Sequence, residues 1–436
     1  MKKYDRMKDS GYPWMGEIPS HWRDINPKAL FTQRKERAKE GERQLTASQQ
    51  YGVLYQDEYM SLTGSRVVVV QKDFDILKHV ETGDFVISMR SFQGGIEYSP
   101  VSGSISSAYV MLIPNKELVY PPFYRWLLKS SAYIRALQST TDLVRDGQAM
   151  RYSNFAKVRL LVAPLEEQRA IAAYLDDKVG QIDSIIEEEK ASIEEYKRWK
   201  ESIIFEATTK GLTADVPMRD SRITWMGEIP VGWRVTKTLR CLSMPITDGP
   251  HTTPELYDTG VPFVSAEAVS CGNGRIDFSH MRGYISEEFY NECCKKYVPK
   301  IDDVYMIKSG ATTGRVAIVD TDKKFTIWSP LAVFRANTNR IMPMFLFYAL
   351  QSDYYQKQVE LGWTYGTQQN IGMRTLETLK ICLPPLYQQK EIVQYLDEKC
   401  GYIDEIINAK ELVISDIETY KRSLIYETVT GKRKVV

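Results

Sequence analysis

The sequence predicts an α+β protein in which two globular domains are separated by two long antiparallel helices. Three observations predict this fold. Two sequence blocks recur in the same order, a long stripe of apolar residues follows the second block in each copy, and short β-rich runs fill the interval between the blocks. A tandem duplication of this kind gives one molecule with approximate two-fold symmetry.

The repeated blocks are long enough to exclude coincidence. The block from Asp9 to Arg23 shares Trp-Met-Gly-Glu-Ile-Pro-x-x-Trp-Arg with residues 220–234. The block from Pro164 to Asp176 shares Pro-Leu-x-x-Gln-x-x-Ile-x-x-Tyr-Leu-Asp with residues 385–397. What lies between the blocks differs strongly between the copies. A shared frame that carries two divergent modules is suited to reading two different half-sites.

The blocks predict four segments in the 436 residues. These are an N-terminal segment with a first globular domain (1–163), a central helix (164–211), a second repeated segment with a second domain (212–384), and a C-terminal helix (385–436). This length is ample for domains with cores of their own.

The composition predicts a cytoplasmic protein. Hydrophobic residues make up 43% and charged residues 26%, no apolar run of about 18 residues occurs, and the N-terminus lacks the apolar core of a signal peptide. All six cysteines lie in the second half without a Cys-x-x-Cys pair, and none of the four histidines has metal-ligand spacing. These patterns argue against a disulfide framework, a zinc site and a structural metal.

The net charge of +1 permits DNA binding without arguing for it. Acidic residues dominate the predicted helix between Glu166 and Glu206. A mild basic excess lies before it, in residues 34–39 and at Arg145 and Arg151. An acidic helix can cancel a basic face in the sum while pointing elsewhere.

Runs of β-branched and aromatic residues predict the strands of both domains. The predicted strands of the first domain are Arg66–Gln71, Phe85–Met89, Ala108–Ile113 and Arg159–Ala163. Those of the second are Val304–Ile307, Arg315–Val319, Ala332–Arg335 and Leu379–Leu383. A short helix is predicted over Phe123–Lys129, and its counterpart follows Pro343.

Each copy ends in a long helix with a stripe at seven-residue intervals, which predicts a coiled-coil-like face. Its members are Leu175, Ile182, Tyr196 and Ile203, beside Ile171, Ile185, Ile186 and Ile193, and then Leu396, Ile403, Ile417 and Leu424, beside Ile406, Ile407 and Ile414. We expect the two stripes to pair antiparallel as a spacer. The alternative is that each stripe is buried on its own domain.

The helices should end near Gly211 and Gly431, because glycine readily takes the left-handed cap conformation. The stripe position between Ile182 and Tyr196 is Glu189, and the matching position of the second helix is Lys410. A central Glu189–Lys410 pair would fix the register of the helices. The alternative is that both side chains extend into solvent.

The repeated Trp-Met-Gly-Glu-Ile-Pro-x-x-Trp and Pro-Leu-x-x-Gln motifs, with the helix ends Ser202–Glu206 and Ser423–Glu427, resemble the DNA-specificity subunits of type I restriction–modification systems. The resemblance implies that each globular domain is a target-recognition domain that reads one half of a bipartite DNA sequence. It also implies that two modification subunits, which methylate adenine with S-adenosylmethionine, and two restriction subunits, which use ATP and Mg, join the chain. Residues 147–152 depart from the Gly-Thr-Gln-Gln-Asn-Ile sequence of residues 366–371.

The chain itself is predicted not to be an enzyme and to hold no cofactor. Tyr120-Pro121-Pro122-Phe123 lacks the Asn or Asp that an amino-methyltransferase loop needs, and its prolines are typical of a helix start. The segment Gly310–Arg315 lacks the Gly-Lys-Ser/Thr ending of a phosphate-binding loop, which predicts a turn between strands.

DNA contacts are expected from polar and basic side chains on loops that follow strands or glycine-containing turns. The candidates in the first domain are Arg90, Ser91, Gln93, Gln148, Arg151 and Asn154. Those in the second are His251, Thr252, Thr253, Lys308, Thr312, Arg315, Thr367, Gln368, Gln369 and Asn370. Any one of these residues could instead belong to a solvated turn.

Two other function classes remain open at this point. The chain could be a free-standing DNA-binding regulator, or a scaffold whose domains bind protein. Steep salt dependence of binding to duplex DNA would separate the DNA-binding functions from the scaffold. Two divergent domains predict an asymmetric target, but the sequence gives neither the target bases nor the spacer length.

Overall fold

The computed structural model describes residues 3–70, 76–88, 91–140, 150–363 and 369–435. The chain divides into two compact units. Unit 1 combines Met1–Lys190 with Glu411–Val436, and unit 2 is the continuous stretch Ala191–Lys410. The predicted division into four segments stays a prediction, and the boundary of the units crosses both long helices.

Unit 1 contains twelve labelled strands and six short helices among the described residues. The strands are β1 (Met7–Asp9), β2 (Glu17–Pro19), β3 (Arg23–Ile25), β4 (Phe31–Gln33), β5 (Leu45–Ser48), β6 (Gly52–Tyr55), β7 (Lys78–Val80), β8 (Phe85–Ile87), β9 (Glu97–Tyr98), β10 (Gly103–Ile105), β11 (Val110–Pro114) and β12 (Leu160–Val162). The helices are α1 (Pro27–Leu30), α2 (Gln56–Thr63), α3 (Ser91–Gly94), α4 (Pro121–Leu127), α5 (Ser131–Gln138) and α6 (Tyr152–Phe155). The long helix α7 (Leu165–Lys210) starts in this unit.

The central sheet of unit 1 has the strand order β4-β11-β8-β9. All of its pairs are antiparallel. Phe31 lies at the centre of the core beside this sheet, with its ring edge-on to Phe85, Tyr124 and Phe155 at centroid distances of 5.5, 5.5 and 5.7 Å. Edge-to-face pairs of this kind add to the free energy gained by burial.

Unit 2 repeats the plan with eleven labelled strands and five short helices among its described residues. The strands are β13 (Met218–Asp220), β14 (Glu228–Pro230), β15 (Arg234–Lys237), β16 (Thr247–Asp248), β17 (Val261–Val264), β18 (Gly283–Ile285), β19 (Val304–Ile307), β20 (Val316–Ile318), β21 (Thr326–Ile327), β22 (Leu331–Phe334) and β23 (Lys380–Leu383). The helices are α8 (Ala266–Ser270), α9 (Glu287–Cys294), α10 (Pro343–Gln351), α11 (Asp353–Leu361) and α12 (Met373–Thr378), and 3-10 turns cover Thr238–Cys241 and Phe278–His280. The second long helix α13 (Leu386–Val429) starts in this unit.

The duplication extends to sheet topology. The central sheet of unit 2 has the order β16-β22-β19-β20. When the four strands of each sheet are numbered along the chain, their order across the sheet is first, fourth, second, third in both units. Unit 2 also has a sheet of order β18-β17-β21, in which β17 and β21 run parallel. The frames of the two units are therefore alike, while their loops and additional strands differ.

Most predicted elements are confirmed within one or two residues, and one is wrong. Residues 66–70 form no strand, although four valines in succession favour one. Val68 is 86% exposed, and the side-chain amide of Gln44 bonds the backbone of Val70 on both sides, at 2.9 Å to its nitrogen and 2.7 Å to its oxygen. A side chain thus takes the place of a neighbouring strand. Gln71 and Met89, at the ends of predicted strands, lie outside the described residues.

The repeated Pro-Leu-x-x-Gln motif contains a buried glutamine that ties each long helix to the domain before it. Gln168 accepts a hydrogen bond from the backbone nitrogen of Tyr120 at 2.8 Å and donates to the oxygens of Leu118 and Ala163 at 2.9 and 2.7 Å. Gln389 makes the same three contacts in unit 2, with the nitrogen of Met342 at 2.8 Å and two backbone oxygens at 3.0 and 2.8 Å. Both glutamines are 0% exposed. The prolines after Tyr120 open helix α4, as the sequence predicts.

The first repeated block forms a hairpin, β1 with β2 in unit 1 and β13 with β14 in unit 2. The tryptophan after each hairpin points towards the start of a long helix. The indole nitrogen of Trp22 donates to Glu167 at 3.0 Å, and that of Trp233 donates to Gln388 at 2.7 Å. The repeated blocks therefore contact each other within each unit, which explains why both recur.

Within each unit the two long helices run antiparallel, as predicted. In unit 1 Asp183 of α7 pairs with Lys421 of α13, and Tyr174 contacts Arg433 beyond its end. In unit 2 Lys200 pairs with Asp404 at 2.6 Å, and the Lys410 ammonium lies 5.9 Å from the Tyr196 ring. In both units, residues later in α7 contact residues earlier in α13 or its end, as antiparallel helices must.

The apolar stripes of unit 1 pack as the sequence predicts, with one exception. In unit 1 Ile171, Leu175, Ile182 and Ile186 share a core cluster with Leu424 of α13. The alternative of a stripe buried only on its own domain is therefore wrong for this unit. Ile185 is the exception, at 46% exposed. Glu189 and Lys410 belong to different units, so their pairing stays a prediction.

Both long helices end at the predicted glycines. Gly211 and Gly431 have φ angles of 78° and 72°, the left-handed conformation that ends a helix without a steric penalty from a Cβ atom. Within the described ranges, no helix combines the length and the apolar run needed to cross a bilayer.

Candidate nucleic-acid interface

Strand direction brings two of the predicted loops of unit 2 to one edge of its central sheet. Strands β16 and β19 are each antiparallel to β22, so they run parallel to each other and end at the same edge. Asp248 is the last residue of β16, and Lys308 follows β19. The loop with His251, Thr252 and Thr253 and the hairpin that starts at Lys308 therefore leave from neighbouring points.

A buried carboxylate lies at the centre of this edge. Asp248 is 0% exposed and pairs with the ammonium of Lys296. Its Oδ2 atom lies 3.3 Å from the Lys308 ammonium and 3.3 Å from Nε2 of His251. The side chains of Lys296 and His251 are 49% and 72% exposed, whereas that of Lys308 is 13% exposed. Three basic side chains thus surround one buried anion, and we call these four residues the Asp248 cluster.

The predicted turn between β19 and β20 is confirmed and carries two more candidates. Gly310 and Gly314 have φ angles of 105° and 95°, which lets residues 308–315 fold back on themselves. Arg315 returns opposite Ile307, whose nitrogen bonds the Arg315 oxygen at 2.9 Å. The Arg315 side chain is exposed and donates to the oxygen of Ser270 at 3.2 Å, and Thr312 is half-buried on the turn.

Residues 369–371 lie against the start of this hairpin. Asn370 forms an antiparallel bridge with Ser309, and the nitrogen of Gly310 donates to the oxygen of Gln369 at 3.0 Å. Both Gln369 and Asn370 are exposed. The structure thus brings His251, Lys308, Gln369 and Asn370 to one region, although they are far apart in sequence. Thr367 and Gln368 lie outside the described residues.

Sequence reasoning missed five residues of this region. Lys296 and Asp248 belong to the Asp248 cluster. The guanidinium of Arg282 stacks on Trp328 at 3.7 Å from the ring centroid. Gly249 packs against the backbone at the end of β21, where a Cβ atom would lie 2.0 Å from the Ile327 oxygen. The pairing of β17 with β21 places Trp328 here. No short-range pattern joins these residues, so only the sheet topology reveals them.

The candidates of unit 1 separate into exposed and buried residues. Gln93 is exposed, and its side-chain oxygen lies 3.5 Å from the amide nitrogen of Gln49. Lys129 donates to the Gln49 oxygen at 3.0 Å and pairs with Glu97, so the structure adds Gln49 and Lys129 to this edge. Burial raises the pKa of Glu97 despite the neighbouring Lys129. Arg90 lies outside the described residues.

Two unit 1 candidates have roles in the fold instead. Ser91 is 1% exposed, and its hydroxyl accepts a hydrogen bond from the nitrogen of Ser88 at 2.9 Å. Asn154 accepts from the nitrogen of Arg151 at 3.2 Å and donates to the oxygen of Thr140 at 2.9 Å, which holds helix α6 in place. Arg151 is exposed, and Gln148 lies outside the described residues.

Each central sheet has a buried aspartate at the start of its second strand, and this aspartate pairs with an arginine from another strand end. Asp84 precedes β8 and receives two hydrogen bonds from Arg34, at 2.6 and 3.0 Å. Asp303 precedes β19 and receives two from Arg335, both at 2.7 Å. The pKa of each arginine is raised chiefly by the hydrogen bonds that it donates to its partner aspartate. Arg34 is therefore part of the interior, which removes it from the basic excess predicted for residues 34–39.

Comparison with known proteins adds three findings. Residues 250–415 match the family described as type I restriction modification DNA specificity domain. The type I restriction enzyme MjaVIII specificity subunit of Methanocaldococcus jannaschii is 24% identical over 82% of this chain and 80% of its own length. The EcoBI specificity subunit of Escherichia coli is 24% identical over 63% of this chain and 58% of its own length.

A solved structure shows the same fold. It describes complex assembly and conformational transition of the type I R-M system, and one of its chains matches with a TM-score of 0.68 and 16% identity, covering 94% of this chain and 98% of that one. The resemblance read from the repeated motifs is thus found again by family, by relatives and by fold.

Proposed function

We propose that this chain is the DNA-specificity subunit of a type I restriction–modification system and reads a bipartite, asymmetric DNA target. The match of residues 250–415 to a DNA specificity domain carries the proposal, because that segment contains the edge loops of unit 2. The relatives that align with most of the chain are also named specificity subunits. The repeated fold supports one reading module in each unit.

The loops of the two units support an asymmetric target. Unit 2 presents His251, Lys308, Arg315 and Asn370 at its edge, whereas unit 1 presents Gln93 with Gln49 and Lys129 nearby. Amide and guanidinium groups read base edges, while ammonium groups chiefly contact phosphates. Because the two sets differ in chemistry, each unit should recognise a different half of the target.

In this proposal catalysis belongs to other subunits in the cytoplasm. Two modification subunits that use S-adenosylmethionine, and two restriction subunits that use ATP and Mg, would assemble with this chain. The segments common to both copies are the natural docking sites for two identical partners, because their sequences are nearly the same in both copies.

The test is a methylome. This chain would be expressed with a type I modification subunit in a host without DNA methylation, and modified adenines would be mapped by single-molecule sequencing. We expect one asymmetric bipartite motif that is methylated in both halves. A stable complex without any motif would contradict sequence reading and favour a scaffold. Failure to form the complex would contradict the assignment to this family.

A further inference from the structure

The Asp248 cluster carries more positive charge than its own carboxylate can balance. Asp248 is the one acidic residue that ion-pairs with Lys296, Lys308 and His251 in the part of the chain that the structure describes. Two permanent ammonium charges therefore share a single negative charge. Lys308 is the more buried lysine, at 13% exposed against 49% for Lys296. Since a desolvated charge is costly unless it is paired, this surplus favours a second anion.

The contacts of Asp248 leave hydrogen-bond donors free for such an anion. Its Oδ1 atom accepts a hydrogen bond from Lys296. Its Oδ2 atom, by contrast, has no hydrogen-bond partner among the described residues, although two cations lie at ion-pair distance from it. The ammonium of Lys308 thus lies at ion-pair distance from this oxygen without the angle of a hydrogen bond. An ammonium carries three rotatable donors, more than one carboxylate oxygen can use, so donors remain for oxygens on the other side.

We propose that Lys296 and Lys308 form a phosphodiester-binding subsite in unit 2 and that Asp248 is the residue that positions them. This proposal rests on the function proposed above and specifies which contacts hold the DNA backbone. An ammonium is a compact charge with rotatable donors, so it suits a phosphate better than the patterned edge of a base. A phosphate held here fixes the register of the hairpin 308–315 and of Asn370, which lie next to the cluster.

Asp248 is well placed to act as a positioning residue. It lies in the sheet, opposite Ala332 of β22, and is fully buried. The residue after it, Gly249, is packed so closely against the Ile327 oxygen that no larger side chain fits. The carboxylate is therefore held rigidly, and it holds Lys296, which comes from the segment after α9, beside Lys308, which follows β19.

The lysines are tested by Lys296→Met and Lys308→Met in the complex with the modification subunit. Dissociation constants for a cognate duplex and an unrelated duplex are measured from 50 to 300 mM salt, concentrations chosen around the physiological range of about 150 mM. Each loss of a phosphate contact should weaken binding of both duplexes. It should also make the fall of the log association constant with log salt less steep, by about 0.9 in slope. Lys295→Met is the matched control, because Lys295 is 75% exposed and pairs with Glu292 instead. Slopes that equal the control would overturn the subsite.

Asp248→Asn separates positioning from simple contact. It keeps the shape of the side chain and removes the charge that holds the lysines, so the salt slope should not fall. Cognate affinity should fall about tenfold relative to unrelated DNA, because the ammonium groups lose their fixed position. Equal changes for both duplexes would overturn the positioning role. If this buried substitution prevents folding, as circular dichroism would show, the two lysine variants decide alone.

The two proposals fail in different ways. If the wild-type complex shows no preference for any motif, the proposed function is wrong. If it methylates a motif and the lysine variants keep the full salt slope, only the phosphate subsite is wrong.

Discussion

A single buried glutamine in each copy joins a long helix to three backbone groups of the domain before it. Replacing Gln168 by Leu keeps the volume but leaves the Tyr120 nitrogen and two oxygens without partners in the interior. Each buried unsatisfied group costs about 1–3 kcal/mol, so the free energy of unfolding should fall by at least about 3 kcal/mol. Urea unfolding of the isolated chain measures this difference.

The control for this substitution is Gln181→Leu on the same helix. Gln181 is exposed and bonds the exposed side chains of Asp177 and Lys178 on its own helix, so the change should stay within about 0.5 kcal/mol. Equal losses of unfolding free energy in the two variants would mean that the three buried hydrogen bonds of Gln168 do not contribute to stability.

Glu167 is a difference between the copies that makes unit 1 sensitive to acid. Burial raises the pKa of this carboxyl, but hydrogen bonds shared with Trp22, His21 and Tyr4 outweigh burial and hold the pKa below its usual value. A lowered pKa in the folded state stabilises the protein above the unfolded value of about 4.3, and that stability is lost as the pH falls through the folded value. The matching residue of unit 2 is Gln388.

Glu167→Gln should therefore destabilise the chain by about 2 kcal/mol at pH 7 and by much less near pH 3. Unfolding free energies measured between these two values test the expectation. Glu166→Gln on the exposed side of the same turn is the control and should change little at any pH. A loss that is independent of pH would show that the charge of Glu167 is not responsible.

At the residue scale the sequence locates motifs better than it explains them. The Pro-Leu-x-x-Gln repeat marks both helix starts, but nothing local shows that the glutamine bonds residues near position 120 or 341. Lys308 is predictable because it follows a strong strand signal. Lys296 is not, because its place beside Asp248 depends on the pairing of strands distant in the chain.

Among the elements, the ends of the long helices depend on glycine for a steric reason that can be measured. A Cβ atom on Gly431 would lie 2.4 Å from Cδ of Pro19, and its φ of 72° is unfavourable for other residues. Gly431→Ala should destabilise the chain by about 2 kcal/mol, since left-handed strain alone costs about 1–2 kcal/mol. Thermal unfolding detects the change as a lower midpoint.

Gly180 provides the opposite control. It lies inside α7, and a Cβ atom there meets nothing within 4 Å. Gly180→Ala should stabilise the chain by about 1 kcal/mol, because glycine is a poor residue for a helix interior. Destabilisation by both alanines would indicate a general cost of substitution and not a specific one at the cap.

Strands and helices are predicted correctly where the pattern of apolar residues in the segment itself shows which residues are buried. Val304–Ile307 is apolar throughout and forms β19 as predicted, and the long stripes give both helices to within a residue or two. Residues 66–70 have an equally strong β signal and form no strand, because side chains contact their backbone in place of a neighbouring strand. Gln44 bonds Val70 on both sides, and Gln56 donates to the Val68 oxygen at 3.5 Å. Local propensity cannot foresee that substitution.

For the whole molecule, two reading units predict that substitutions in one unit alter one half of the target. Asn370→Ala with Arg315→Ala in unit 2 should relax base preference in a single half of the methylated motif, at about 1–3 kcal/mol for each lost base contact. Gln93→Ala in unit 1 should relax the other half. The methylome of each variant shows which half changes, and relaxation of both halves by either variant would contradict independent reading.

Because unit 1 is built from both ends of the chain, the order of the segments along the chain can be changed. Unit 1 joins the last residues of the chain to the first, and the Lys434 ammonium lies 5.9 Å from the Tyr4 ring. The two ends of the chain therefore lie close together in unit 1, so they can be joined and the chain opened elsewhere. A circular permutant that starts at Ala214, in an exposed turn, with the old ends joined by a short Gly/Ser linker, should direct methylation to the same motif. A permutant whose new ends lie between Tyr354 and Tyr355, which are both fully buried, should not fold.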